Sequence, residues 1–165
     1  MNATASYWID RLSLIRHPEG GWFCETYRSA GSVAACALPV RFGGERSLST
    51  AIYFLLEAGE FSAFHRIKSD EMWHAYTGDA LTVHVIDPDG EYRALRLGGV
   101  PERGECFQGV VPAGCWFAAE TEGEYSLVGC TVSPGFAFED FEMAARGALV
   151  SLYPRHRELI TRFTR

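Results

Sequence analysis

Two histidines and two acidic residues lie within one short stretch of the 165-residue chain, FSAFHRIKSDEMWHAYTG. His65 precedes Glu71 by six positions, and His74 follows shortly after. A histidine and a glutamate that meet across two strands can coordinate a divalent transition metal. They can also hydrogen-bond each other inside a pocket and transfer a proton. The stretch therefore indicates either a metal centre or a polar ligand pocket.

Strand alternation decides which of these side chains can meet. In SAFHRI, His65 shares a strand face with Ile67. In EMWHAY, Glu71 and Trp73 share a face, and His74 points to the opposite side unless a β-bulge intervenes. We therefore expect His65 and Glu71 to converge across neighbouring strands, with Trp73 beside them.

The surrounding sequence is built mainly of short strands. From Ser49 onward, β-branched and aromatic segments are separated by Gly and Pro turn signals at spacings of roughly 10 residues. About seven or eight such strands predict an all-β sandwich or barrel. The high aromatic fraction of 13% and the 17 glycines fit this class.

Helices are predicted only at the two ends of the chain. Trp8, Leu12 and Ile15 recur at helical spacing, which predicts a helix over residues 4–15. A C-terminal helical segment is predicted over residues 138–164, with one helical turn over 139–145 and a last helix that starts at Pro154. With no linker or repeat, residues 1–165 are expected to form one domain.

Charge and hydropathy exclude several classes of partner. The net charge of −6 argues against nucleic acid, because phosphate binding needs a basic surface. No apolar run reaches the roughly 18 residues that a membrane span requires. The N-terminus has no pattern of a signal peptide. The five cysteines are odd in number and form no C-x-x-C pair, so we expect reduced thiols and a cytoplasmic protein.

The spacing around His65 resembles the first motif of the cupin superfamily, G-x5-H-x-H-x(3-4)-E-x6-G. Gly59, His65, Glu71 and Gly78 match it, but Ile67 stands where the second histidine belongs. The segment VVPAGCWFAAET resembles the second motif, G-x5-P-x-G-x2-H-x3-N. Its Pro112 and Gly114 match, whereas Phe117 replaces the histidine and Thr121 the asparagine. Two of the four metal ligands that the resemblance implies are therefore missing.

The chain is most similar to one branch of that superfamily, the DUF985 or cupin-5 family. The blocks HPEGGWFCETYRS, STAIYFLL, FHRIKSDEMWH, TVHVIDPDG, VPAGCWFAA and YSLVGCTVSPGFAFEDFEMA carry the resemblance, over roughly residues 6–145. It implies a cupin-type jelly roll over about residues 21–135, between the terminal helices. It also implies a homodimer, for which the strand WFCETYRS is the candidate interface. The family's activity is not established, so the ligand stays open.

The remaining candidates are polar or aromatic residues that such a pocket would use. Tyr53 is either a core tyrosine or a pocket hydroxyl, and the two tryptophans are either packing or a stacking surface. His84 is placed on a strand whose direction the sequence does not fix. Glu25 is added on the family resemblance. The candidate ligand-binding residues are Lys68, Trp73, His74, Gln108, Trp116, Glu25 and His84.

The function expected is binding of a small polar molecule inside the barrel. If the protein is an enzyme, the leading hypothesis is acid–base chemistry of the sugar-epimerase kind without a cofactor. His65 would move the proton, Glu71 would hydrogen-bond and orient it, and Tyr53 would be the partner acid. One alternative is a metal-dependent oxygenase or isomerase with a divalent transition metal at His65 and Glu71. The other is a non-catalytic binding or storage module.

Overall fold

The computed structural model describes residues 4–165, so residues 1–3 of the predicted domain lie outside the description. Helix α1 spans Ala5–Arg11, and the Thr4 hydroxyl caps it by accepting a hydrogen bond from the Tyr7 amide. It is shorter than the predicted 4–15, because Ser13 adopts a left-handed backbone conformation with φ 52°. The chain then enters a strand at Ile15.

Short antiparallel strands make up most of the described chain. In chain order they are β1 (Ile15–Arg16), β2 (Trp22–Arg28), β3 (Ser32–Val33), β4 (Arg46–Ser47), β5 (Thr50–Glu57), β6 (Phe61–Arg66), β7 (Asp70–Gly78), β8 (Leu81–Ile86), β9 (Tyr92–Leu97), β10 (Gln108–Val111), β11 (Trp116–Thr121), β12 (Tyr125–Ser133) and β13 (Glu142–Met143).

Two sheets pack face to face. One has the order β1-β2-β5-β12-β7-β10 and the other β13-β6-β11-β8-β9, while β3 and β4 form a separate small hairpin. Sheet neighbours that are far apart in sequence, such as β5 beside β12, give a crossed antiparallel topology. The all-β sandwich with short helices that the strand spacing predicted is confirmed.

Alternation along each strand divides its side chains between the core and the outer faces. In β8, Leu81, Val83 and Val85 enter the core between the sheets, whereas Ile86 packs on the outer side. Phe54 joins them in the core from the opposite sheet. Burying a large apolar side chain contributes about 1.5–3 kcal/mol. This core therefore holds the two sheets together.

The C-terminal segment covers the outer face of the smaller sheet. Helices α2 (Arg146–Leu152) and α3 (Arg157–Arg162) bury Leu149 and Ile160 against Ile86 of that sheet. The helical turn predicted over 139–145 is wrong. A single 3-10 turn covers Phe138–Asp140, and the chain then pairs with β6 as β13. Pro154 opens a 3-10 turn that leads directly into α3, as a proline at a first helical position favours.

None of the helices in residues 4–165 combines the length and the apolar character needed to cross a membrane.

Candidate functional site

A cavity of about 90 Å³ lies between the two sheets. Strands β2, β5, β6, β7 and β12 supply its walls, together with the loop before β2 and the segment before β13. Its apolar lining is largely aromatic: Phe23, Phe54, Trp73, Phe136, Phe138 and Phe141. Its buried polar end contains two imidazoles and two carboxyl groups: His17, Glu19, His65 and Glu71.

A glycine turn brings Glu19 to this polar end. Gly20 has φ 115°, and a Cβ there would lie 2.2 Å from the backbone oxygen of Phe61. Only glycine permits this approach. The turn lets the Glu19 carbonyl accept a hydrogen bond from the Ala63 amide at 2.9 Å. The Ser62 hydroxyl donates to Glu19 Oε1 at 2.8 Å, which fixes the carboxyl group on β6.

Glu19 and His65 share one proton. His65 Nδ1 lies 2.8 Å from the Ala63 carbonyl, so it must carry a hydrogen. His65 Nε2 lies 3.2 Å from Glu19 Oε2, and a proton is needed between these two atoms. Burial raises the pKa of Glu19 well above 4.5 and lowers the pKa of His65 to about 3. The proton therefore resides on Glu19, which donates it to a neutral His65.

His17 completes this side of the cavity as a neutral imidazole. Its Nδ1 accepts a hydrogen bond from the Glu19 amide at 3.3 Å. The ring packs edge-on against Phe23, with 4.6 Å between ring centroids. Burial lowers the pKa of His17 to about 4. At neutral pH, the side chains of His17, Glu19 and His65 together therefore carry no net charge.

Glu71 is the second buried carboxyl group of the cavity. Burial raises its pKa to about 7, and the Cys130 thiol opposes this shift by donating a hydrogen bond. No ion pair among residues 4–165 includes Glu71. Its acid and carboxylate forms are therefore both populated near neutral pH, which suits a group that exchanges protons with a ligand.

The structure corrects the predicted bond between His65 and Glu71. Within the described chain, His65 binds the Ala63 carbonyl and Glu19, whereas Glu71 accepts from Cys130. Both side chains do line one cavity, as strand alternation predicted. The turn at Gly20 places the Glu19 carboxyl group beside His65 Nε2, and this contact replaces the predicted one with Glu71.

Two further predicted residues line the cavity. Trp73 is 1% exposed, and its indole N–H has no acceptor among the described residues. Glu25 lies at the exposed end, where its carboxylate pairs with Arg28. Trp73 thus contributes an aromatic wall and has an indole N–H without an acceptor, and Glu25 lies at the exposed end.

Three predicted residues lie on the outer face of the larger sheet instead. Tyr53 packs edge-on against Tyr76, with 5.8 Å between ring centroids. His74 Nε2 lies 3.1 Å from the Thr131 hydroxyl, and its Nδ1 lies 3.2 Å from the Gln108 amide nitrogen. Alternation explains the placement, because Phe54 and Trp73 occupy the inward positions of the same strands. Tyr53 is therefore not placed to act as an acid in this cavity.

The other predicted residues belong to the smaller sheet and its edge. His84 lies on the outer face, where Nδ1 is 2.9 Å from the Tyr92 hydroxyl and Nε2 is 3.2 Å from Glu120. Trp116 packs with the C-terminal helices. Lys68 pairs with Asp140 at 3.2 Å, in a separate cleft. None of the three lines the cavity.

The sequence interpretation missed His17, Glu19, Ser62 and Cys130. The first two precede the Gly-Gly pair of HPEGGW, and this dipeptide was the available signal for a tight turn. Ser62 and Cys130 lie on strands among apolar residues, so the sequence pattern did not indicate a role for them in the site. Cys130 is a buried core residue that also lines the cavity.

The donor set does not fit the metal site that cupin motifs carry. Ile67 lines the cavity as hydrocarbon, and the Phe117 ring packs on His65 with 4.0 Å between centroids. Within residues 4–165, no three His, Cys, Asp or Glu side chains are arranged to hold an ion. We therefore derive no step through a metal.

Comparisons with known proteins agree with this architecture. A protein from Shewanella oneidensis, SO0799, has a solved structure that is 41% identical, with TM-score 0.88 over 99% of both chains. A hypothetical protein from Leishmania major is 39% identical, with TM-score 0.90 over 98% of this chain and 99% of that one. The uncharacterized yeast protein YML079W, from Saccharomyces cerevisiae, is 32% identical over 80% of this chain and 71% of its own length.

A more distant solved structure shows the fold alone. Oxalate decarboxylase from Bacillus subtilis aligns with TM-score 0.55 at 15% identity, over 90% of this chain and 36% of that enzyme. The cupin-type jelly roll expected from the motifs is thus confirmed. The family described as "Cupin superfamily (DUF985)", Cupin_5, matches residues 6–144. The chain therefore belongs to the Cupin_5 family of the cupin superfamily.

Proposed function

We propose that this protein binds a small carbonyl compound in the aromatic cavity and isomerises it by moving a proton. The observation that supports this most is the pair of carboxyl groups, Glu19 and Glu71, buried at one end of the cavity with only neutral hydrogen-bond partners. Burial separates their roles, because Glu19 holds its proton while Glu71 titrates near neutral pH. Paired carboxyl groups in different protonation states are a common basis for acid–base catalysis.

In this proposal Glu71 is the base. Its carboxylate takes a proton from the carbon next to the carbonyl group, and the C–H electron pair becomes the C=C bond of an enol. The carbonyl π electrons move to oxygen, which takes the Glu19 proton. In an α-hydroxy carbonyl compound this enol is an enediol, whose second hydroxyl gives its proton to Glu19 and becomes the new carbonyl while the Glu71 proton goes to the former carbonyl carbon. An isomer is released, and no co-substrate is consumed. Before the transfer, His65 accepts the hydrogen bond of Glu19 and orients its carboxyl group, and the proton leaves this bond when it passes to the ligand oxygen. These roles are the reverse of those expected from the sequence.

Trp73 supports a carbonyl ligand in particular. Its buried indole N–H lacks an acceptor in the described chain, and an unpaired buried donor costs about 1–3 kcal/mol. A ligand oxygen would satisfy it. Aromatic walls on the other sides suit the carbon skeleton of a small molecule. The site thus combines an oxygen-binding donor with two proton-transfer groups.

The test is solvent-deuterium exchange into uncharged carbonyl compounds, followed by proton NMR in D₂O. Hydroxyacetone and cyclohexanone are suitable probes. We expect catalysed exchange at the carbon next to the carbonyl group, lost at least about 100-fold in Glu71→Gln. The rate should rise as pH increases through about 7, because the carboxylate form of Glu71 is the base. Glu91→Gln, which changes an exposed carboxylate paired with Arg155, is the matched control.

A non-catalytic binding module is the second candidate, and it is favoured by the largely aromatic lining. It predicts that probes bind and cause chemical-shift changes, yet exchange no faster than in buffer. Exchange that persists unchanged in Glu71→Gln would contradict the acid–base proposal. Native mass spectrometry of the untagged protein would show in parallel whether a small organic molecule co-purifies.

We further propose a cytoplasmic homodimer that binds neither nucleic acid nor membrane. The cysteines of the described chain are all unpaired, including the exposed Cys36 and Cys106, which suits a reducing compartment. Strand β1 pairs only with Trp22 and Phe23, so no described strand covers the outer edge of β2 beyond them. An open sheet edge of this kind favours pairing with a second copy.

A further inference from the structure

We propose that the ligand is a small oxo acid whose carboxylate binds Arg28 at the cavity mouth, in the place that Glu25 now occupies. This inference rests on the proposed function and adds the substrate class. It places the carbonyl group at the buried end and the acid group at the exposed end.

A β-bulge turns Arg28 toward the cavity. Glu25 lies opposite Ile52 and Tyr27 opposite Ala51, so Thr26 is an extra residue in β2. Regular alternation would put Arg28 on the outer face, as it does Trp22 and Cys24, which pack under α1. After the bulge, Arg28 lines the cavity together with Phe23 and Glu25. Bulges that re-aim a side chain are frequent next to functional sites.

Arg28 already holds a carboxylate in the geometry that a ligand would use. Its Nε and Nη2 donate to the two oxygens of Glu25 at 3.0 and 2.6 Å, a bidentate arrangement. Nη1 donates to the Phe136 carbonyl at 3.1 Å, which fixes the guanidinium plane at the rim. The pair is half-exposed, with side-chain exposures of 43% and 40%. Exposed ion pairs contribute little to stability because solvent screens them, so a ligand carboxylate can displace Glu25 at little cost.

The charge along the cavity fixes the direction of the ligand. Arg28 is the one Lys or Arg among the described residues that line it. The buried end carries Glu71 beside Glu19, and a ligand carboxylate there would approach the Glu71 carboxylate; Arg165, whose charge acts on Glu19, is not among the residues that line the cavity. An anionic group is therefore stable only at the mouth. Phe138, which is 57% exposed, also lines the cavity.

The experiment compares levulinate with its uncharged amide, levulinamide, by isothermal titration. These probes share the methyl ketone and differ in charge at the other end. We expect wild type to bind levulinate about tenfold more tightly than the amide. Arg28→Gln should remove this preference and leave the amide affinity unchanged. Glu25→Gln should tighten levulinate binding about threefold to tenfold, because the competing carboxylate is gone.

Matched controls separate this inference from the proposed function. Arg157→Gln removes an exposed arginine on α3 and should change neither affinity. Thermal melting of each variant verifies folding. Equal binding of acid and amide, or a preference that survives in Arg28→Gln, overturns the carboxylate site while leaving the cavity proposal standing. Binding of neither probe also overturns the inference, and the cavity proposal is then judged by deuterium exchange with uncharged ketones.

Discussion

The proton on Glu19 is the central feature at the scale of single residues. His65 Nδ1 must donate to the Ala63 carbonyl, so the neutral ring offers only an acceptor to Glu19. Ser62 meanwhile needs an acceptor on the other carboxyl oxygen. A carboxylic acid satisfies both contacts, with one donor and one acceptor. A glutamine side chain has nearly the same shape and also offers one donor and one acceptor to these two partners.

This leads to a prediction for two substitutions at position 19. Glu19→Gln should retain the free energy of unfolding within about 1 kcal/mol, because the amide donates to His65 and accepts from Ser62. Glu19→Ala should lose about 2–4 kcal/mol through unpaired buried groups and a cavity. Urea denaturation at neutral pH measures both. Equal losses in the two variants would indicate an ion pair with His65 and contradict the neutral assignment.

How far the sequence predicts these residues depends on whether each lies in a regular strand. His65, Glu71 and Trp73 follow strict alternation, so their shared cavity was predictable from period two. His17 and Glu19 lie in a loop, where no periodicity links their position to β6. The partner of His65 is therefore a tertiary contact that local patterns cannot supply.

At the scale of elements, the turn between β1 and β2 determines the geometry of the site. A side chain at position 20 would collide with the backbone oxygen of Phe61 at 2.2 Å, and φ there is 115°. Since that oxygen belongs to β6, the turn must move away from the sheet to relieve the collision. Glu19 would move with it.

We therefore predict that Gly20→Ala destabilises the fold by at least about 2 kcal/mol. It should also reduce the rate of deuterium exchange to the level of Glu19→Ala. Gly147→Ala is the matched control, because Gly147 lies in α2 with open space around its Cβ position. It should stabilise the protein by about 0.5–1 kcal/mol. Thermal denaturation gives both values, and an unchanged melting temperature in Gly20→Ala would contradict the role of the turn.

Element prediction succeeded where the periodicity was long and failed where it was short. Strands β5, β8 and β12 have six or more residues each and lie in the strand-rich region that was predicted from Ser49 onward. Strand β13 has two residues, and its pairing with β6 outweighs the helical propensity of its neighbours. The bulge in β2 was also not predicted, because one extra residue in a strand does not change the composition of the segment.

At the scale of the whole molecule, the open edge of β2 bears on assembly. The motif resemblance implied a homodimer through this strand, and Tyr27 on it is 54% exposed. The strand WFCETYRS therefore remains our candidate interface. A lysine on an edge strand discourages pairing with a second chain, so a lysine in this strand tests the interface.

We predict that sedimentation equilibrium gives the mass of two chains and that Tyr27→Lys shifts it toward one. Leu152→Lys, at a residue with 60% exposure at the end of α2, should leave the mass unchanged. A monomeric wild type would contradict the homodimer. A dimer that tolerates Tyr27→Lys and dissociates in Leu152→Lys would place the interface on the C-terminal helices instead.

The loop that carries Glu19 also bears on how such a chain diversifies. Residues 17–21 contribute nothing to the main apolar core, which strands and the segment after β12 supply. One proton-transfer group, Glu19, is therefore encoded outside the core strands, whereas Glu71 lies on β7. A descendant that replaces Glu19 and keeps the glycine turn would inherit an intact jelly roll with a cavity of altered reactivity. Fold similarity alone will then be a poor guide to which relatives share a reaction, and the residue aligned with Glu19 will be a better one.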